Sequence, residues 1–260
     1  KSVYQWVGRV VVVYPNSRPK RMTDFFVNDS GNKTLLAQML SDFDTGIESI
    51  SSKKKPLAEA LRFMPDDQKN HFIDVLDKAI NDDDELHNSL EKGERKSIQL
   101  DNRRFILSMK NGELQAEELM MDHGNKGDLF GLLDESDGTQ RLFDLVPAYE
   151  VVKGGRVILI DEVDRSFHSK LTEMYVRRYF ELTKGKACQM ICTTHDLNLM
   201  TLSLLRQDEI WFVERNVDHS THLYSLSEYK TRSDKSVLND YVQGRYGAIP
   251  CISETIGEEE

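Results

Sequence analysis

Long hydrophobic runs are missing from this sequence: none approaches the ~20 apolar residues that a membrane-spanning helix needs, so no contact through a membrane anchor is expected. Cysteine is scarce as well. Cys188, Cys192 and Cys251 make an odd number with no CxxC pair, which excludes an even disulfide framework and points to a reducing cytoplasm. Cys188 and Cys192 flank a short apolar run and read as buried thiols rather than redox or metal ligands. An excess of basic residues is also lacking. The formal net charge of −10 argues against a surface that coats nucleic acid, so DNA or RNA would need a local basic groove. Nothing repeats. What is present is 260 residues, 39% hydrophobic and 30% charged, enough for one large domain or two small ones.

The chain opens on Lys1, and "KSVYQWVGRVVVVYP" reads like the middle of a domain, so an N-terminal portion is expected upstream. Residues 8–14 are a β-branched run stopped by Pro15, a buried strand. Leu35, Leu36, Met39, Leu40 and Phe43 form a helical stripe over 33–45. Residues 51–95 read as a polar helical region: Pro56 suits a helix start, Leu57, Ala60, Leu61 and Met64 recur at helical spacing, and Gln68–Ile80 repeats the pattern. "NDDDE" at 81–85 reads as a solvated helix end rather than a metal cage. Alternation over 97–122 predicts a hairpin around Asn111–Gly112. Beyond 138 helices and strands alternate: helix 138–150, strand 156–160, helix 169–183, strand 189–193, helix 197–205, strand 209–213. That order predicts a parallel sheet covered by helices. A strand near 222–226, a helix near 234–243 and an acidic tail at 258–260 close the chain.

Three junctions carry chemistry. In "VILIDEVDRSFHSKL" (157–171) four apolar residues run into Asp161 and Glu162, with Asp164 two positions on. Ligands of parallel sheets sit beyond the carboxyl ends of strands, where Asp161 would hold Mg²⁺ and Glu162 would orient or deprotonate a water. The plain alternative is an acid pair capping a loop. Upstream, Ser136 and Gly138 open an amphipathic helix; free N–H groups, a hydroxyl and the positive helix end make an anion site, or a simple N-cap. Downstream, "CQMICTTHDLNLM" places His195 past a short strand, where it would donate to a terminal phosphate or serve the structure alone.

Together, with Ser136 25 positions before Asp161 and His195 33 positions after Glu162, this order resembles the ABC-type ATPase head of ABC transporters, SMC proteins, RecF and OLD-family proteins. "ESDGTQRLFDL", "IDEVDRSFHSKL", "TTHD", "LLRQDEIWFVER", "LYSLSEYKTR" and "GRYGAIP" look more closely like the AAA-type ABC ATPases of bacterial abortive infection and phage defence. "VYQWVGRVVVVYPNS" resembles the segment leading into that family's helical insertion. The resemblance implies an α/β head with a mostly parallel sheet flanked by helices, a helical insertion and a small antiparallel β region. Residues 1–50 would be core leading into the insertion, 51–95 the helical lobe, and 96–260 the C-terminal core. It further implies ATP and Mg²⁺ as cofactors and a homodimer that sandwiches ATP. Ser136 and Gly138 would be the signature acting on the partner's nucleotide, Asp161 the Walker B metal acid and Glu162 the catalytic carboxylate that polarises water. Asp164 would be the D-loop acid and His195 the switch histidine.

The family's opening loop, GxxxxGK[ST], is absent from these 260 residues. "DSGNKTLL" (29–36) and "HGNKGD" (123–128) lack its spacing, and the loop is expected upstream. This chain alone would then bind ATP weakly and be inactive. One further reading stands beside the ATPase, a non-catalytic nucleotide sensor holding an effector such as a nuclease or toxin; a self-contained nuclease would need an acidic metal cluster, and Asp82–Asp84 lie in a polar linker with no supporting strand. Arg245 in "GRYGAIP" would hold a phosphate or a carboxylate, or belong to a structural turn.

Overall fold

Four consecutive valines, Val10–Val13, form strand β1; β-branched side chains suit a pleated surface and resist a helix. In the computed structural model, which describes residues 7–16, 30–100, 103–125, 127–230 and 236–249, β1 runs parallel to β7 (Val157–Ile160). β7 in turn runs parallel to β8 (Gln189–Cys192), so "VILI" is the central strand. The acidic tail 258–260, Cys251 and the first six residues of the opening segment lie outside the described residues.

Contacts divide the chain into two compact units. One extends to Phe167 and resumes over Tyr179–Thr193; the other holds His168–Arg178 and the chain from Thr194 onward. The first unit contains the parallel strands and a larger antiparallel sheet. Its strands are β2 (Ser49–Pro56), β3 (Lys96–Leu100), β4 (Arg103–Lys110), β5 (Glu113–Asp122) and β6 (Leu129–Gly131), in the order β2-β5-β4-β3 with β6 on the far end of β5. The β4–β5 turn is Asn111–Gly112, with φ +55° and +75°, the two left-handed positions that a two-residue hairpin demands. Helices α1 (Ser30–Ser41), α2 (Leu57–Ala60), α3 (Asp66–Asn81) and α4 (Asp84–Glu91) accompany this sheet. Leu57, Leu61, Phe105, Leu107 and Ala116 are buried together, with Phe72 and Leu76 against them.

The segment read as helical from 51 begins instead as strand β2. Lysine-rich "SSKKKP" favours neither state by pattern. Cross-strand partners decide: Lys54 lies opposite Glu117, and its Nζ reaches that carboxylate at 3.1 Å, while Lys55 reaches Glu118 at 3.3 Å. Opposite charges across strands stabilise a sheet that local propensity would not select. "NDDDE" is a helix end as expected, since Asp83 caps α4 by accepting the Leu86 N–H at 2.9 Å.

The predicted helix 138–150 is two helices, α5 (Asp137–Leu145) and α6 (Ala148–Lys153), broken where Pro147 has no N–H to continue the ladder. Helix α7 (Ser169–Thr183) spans the predicted residues. The predicted helix 197–205 is only a short 3₁₀ turn, Leu197–Leu199, because the Asp196 carboxylate binds the Asn198 N–H at 3.0 Å and draws the backbone into a capped turn. Without a crossover helix the next strand cannot extend the parallel sheet. β9 (Trp211–Arg215) pairs antiparallel with β10 (Thr221–Ser225) inside the second unit. Phe212 and Tyr224 face that unit's core with Ile210, Leu226, Val237 and Tyr246. Trp211, next to Phe212 on the same strand, is 53% exposed, as alternation along a strand requires. Helix α8 (Val237–Val242) follows, and Arg245 pairs with Asp240 at 2.7 Å, so it holds a carboxylate in a structural turn.

Candidate functional site

At the carboxyl end of β7 each backbone N–H finds a specific acceptor. Asp161 N–H donates to Val13 O on β1 at 2.9 Å, and Val163 N–H donates to Thr193 O at 3.0 Å. Between them, Glu162 N–H donates to the Thr193 hydroxyl at 2.8 Å. Glu162 holds φ at +49°, a left-handed conformation that costs a non-glycine residue about 1–2 kcal/mol. Satisfied backbone donors at a strand end offset that strain.

The Thr193 hydroxyl also donates to Asp161 Oδ1 at 2.6 Å. The chain then makes a second turn: Arg165 N–H donates to Glu162 O at 3.1 Å, Phe167 N–H to Asp164 O at 2.9 Å, and Ser166 sits at φ +65°. Cys192, at the end of β8, has its thiol pushed up to about 11, first by burial and then by the negative charge of Asp164. Cys188 and Cys192, expected from sequence to be buried, are both only partly buried, and a thiol raised this way is a poor nucleophile.

Ser136 caps α5, its hydroxyl accepting the Thr139 N–H at 3.2 Å. The turn before it is tied down as well. Gln140 Nε2 donates to Glu135 O at 2.9 Å, and the Glu135 carboxylate meets His123 Nε2 at 2.8 Å. Leu142, Phe143 and Leu145 sink the helix into the first unit, and Arg141 and Asp144 are buried with them. Gly138 lies hard against the acid loop: a Cβ there would stand 3.0 Å from the Ser166 carbonyl oxygen. The two motifs, separated in sequence, therefore touch in one unit.

Ser136, Gly138, Asp161, Glu162 and Asp164 all belong to this first unit, whereas His195 belongs to the second. There it is exposed, just before Asp196, whose N–H donates to Thr194 Oγ1 at 3.0 Å. Of the sequence decoys, "DSGNKTLL" supplies α1 from Ser30 on, and Lys33 reaches Ser52 Oγ of β2 at 3.3 Å. That lysine braces a helix against a sheet; it is not on a phosphate loop. Sequence reasoning missed Thr193 and Ser166. The first carried a signal, a hydroxyl at a strand's carboxyl end, but nothing in the sequence says which residue it will face.

A family model described as "AAA domain, putative AbiEii toxin, Type IV TA system" matches residues 15–201, well over half of the chain. The chain belongs to this family. All six predicted site residues, Ser136, Gly138, Asp161, Glu162, Asp164 and His195, fall within the matched span. No curated protein matches the chain. An AAA domain of the AbiEii type is an ATPase-type domain, with nucleotide as the ligand class and Mg²⁺ as its usual companion. The donor set at β7 fits that ion: Mg²⁺ in nucleotide sites takes one or two carboxylates and fills its shell with water and phosphate oxygens. Asp161, whose Oδ1 accepts from the Thr193 hydroxyl, would supply one such carboxylate. Among the described residues no helix is long and apolar enough to cross a membrane.

Proposed function

We propose that this domain is the hydrolysis-and-sensing part of an ABC-type ATPase that dimerises around ATP and serves toxin–antitoxin or abortive-infection defence. The approach of Gly138 to Ser166 carries the reading, because it joins the anion-binding helix start to the acidic strand end. Asp161 would hold Mg²⁺, which when bound neutralises charge on the terminal phosphates. Glu162, next to it at the strand end, orients and polarises the attacking water. Ser136 and Gly138 face the nucleotide of the partner subunit, with the Ser136 hydroxyl and the N–H groups of α5 as donors to phosphate oxygens. The loop of Asp164 travels with them, so each subunit presents its signature turn and its acid loop as one piece. His195 donates to the terminal phosphate and reports its loss. An isologous dimer with two shared sites follows from that logic, with ATP as the bridge and an effector protein as the output.

Replacing Glu162 with Gln keeps the shape and removes the base. In the full-length protein the Glu162→Gln variant should lose turnover by at least about 100-fold, the lower end of what one acid–base group contributes, and should accumulate as an ATP-bound dimer in light scattering. Unchanged turnover would strip Glu162 of its role. Binding of nucleotide without turnover by the unsubstituted protein would favour a sensor that holds an effector instead.

A further inference from the structure

Thr193 stands two residues before the predicted switch histidine and has no part in the reading above. Its hydroxyl carries one proton and two lone pairs. The proton is given to Asp161 Oδ1 at 2.6 Å, and a lone pair receives the Glu162 N–H at 2.8 Å. These partners are 32 and 31 positions away in sequence, so this is no local turn. One hydroxyl thus grips the side chain of the first acid and the backbone of the second. We infer that Thr193 is a positioning residue for the Asp161–Glu162 pair, fixing the metal-side carboxylate and the strained backbone from which the water-side carboxylate projects. The inference rests on the ATPase reading for its catalytic consequence and on geometry alone for the clamp.

The main chain supports this as a separable role. Thr193 N–H donates to Ile160 O at 3.0 Å and Thr193 O accepts from Val163 N–H at 3.0 Å. Those ladder bonds do not involve the hydroxyl, so its removal leaves β8 in register. What is lost is the hold on Asp161, whose free rotation would spread its carboxylate over several rotamers, and the partner of the Glu162 N–H. Glu162 is a non-glycine residue at φ +49°, and strained backbone persists only when its surroundings over-determine it. Positions that carry catalytic groups tolerate little misplacement.

Thr193→Val is isosteric and removes both bonds; Thr193→Ser restores the hydroxyl. In full-length protein, amide hydrogen exchange of the 160–164 peptide should quicken by about tenfold in Thr193→Val and match the unsubstituted protein in Thr193→Ser. Turnover of Mg²⁺-ATP should fall by about tenfold or more in Thr193→Val, mainly in kcat with little change in KM for ATP. Its Mg²⁺ half-saturation should rise several-fold, and Thr193→Ser should stay within about threefold of the original. Equal exchange in Thr193→Val and the unsubstituted protein would overturn the clamp, as would Thr193→Ser behaving like Thr193→Val. Quickened exchange in Thr193→Val with turnover and Mg²⁺ dependence intact would overturn the catalytic consequence. If the unsubstituted protein shows no turnover, the ATPase reading fails while the exchange comparison still decides the clamp.

Discussion

Adding one methyl group at Gly138 tests the contact that joins the two motifs. Glycine in the first turn of a helix is ordinarily improved by alanine, which gains up to about 1 kcal/mol from propensity and from a less free unfolded chain. Here the new Cβ would lie 3.0 Å from the Ser166 carbonyl oxygen, a backbone atom. Ordinary C···O approaches begin near ~3.3 Å, so one side must retreat by a few tenths of an ångström. Ser166 is already left-handed at φ +65° and its loop is pinned by the Phe167–Asp164 bond at 2.9 Å. The α5 side is anchored by buried Leu142 and Phe143. Overpacking of this kind costs about 1–3 kcal/mol, which outweighs the propensity gain and leaves about 0–2 kcal/mol of net destabilisation. For a chain of this size that lowers Tm by about 0–8 °C. Calorimetry measures the shift; turnover measures the consequence, which should be larger, tenfold or more, because the acid loop moves with Ser166. A Tm raised by the usual glycine-to-alanine gain, with turnover unchanged, would refute the argument that Gly138 is required by this contact.

Glu117 is fully buried between Lys54 and Arg95, at 3.1 and 3.3 Å. Burial alone would raise its carboxyl, but the Lys54 hydrogen bond and the Arg95 charge outweigh it and hold the group below its ordinary value of 4.5. Breaking a fully buried pair costs about 3–5 kcal/mol; because the Lys54 side chain is 52% exposed, water shields it and about 1–3 kcal/mol is expected for Glu117→Gln in urea unfolding. A carboxyl lowered in the folded state stabilises above its unfolded value and loses that contribution as pH falls through its folded value. The gap between Glu117→Gln and the original should therefore shrink as pH drops from about 5 toward 3, and a gap independent of pH would contradict this. Cys192, with its thiol near 11 instead of 9.0, should alkylate on the order of 100-fold more slowly at pH 8 than an unperturbed thiol. Mass spectrometry of iodoacetamide-treated native protein reads this directly, and a rate equal to that of a free thiol would refute the raised thiol.

Elements governed by local rules were readable before the fold. Asn111–Gly112 calls for a hairpin because those two residues tolerate left-handed backbone at low cost, and φ is +55° and +75° there. "VILI" is a strand and Ser169–Thr183 a helix for reasons contained within their own few residues. The failures share a different character. "SSKKKP" became a strand because Glu117 and Glu118 arrive from about 60 residues downstream. The predicted helix at 197–205 collapsed to a turn through the Asp196 cap, a competition that periodicity does not register. Asp161 and Glu162 were legible as an acid pair at a strand end, but their partner Thr193 was not.

The amino-acid sequence by itself determined which acids, hydroxyls and glycines stand at strand and helix ends, and in what order along the chain, because chemical identity and strand or helix ends are local properties. Tertiary structure alone decided which of them meet. It set Gly138 against Ser166 and gave one threonine hydroxyl to two acids 31 and 32 positions away. It also placed His195 with the second unit. Contacts between distant segments depend on parallel register and packing, and those emerge only when the whole sheet forms.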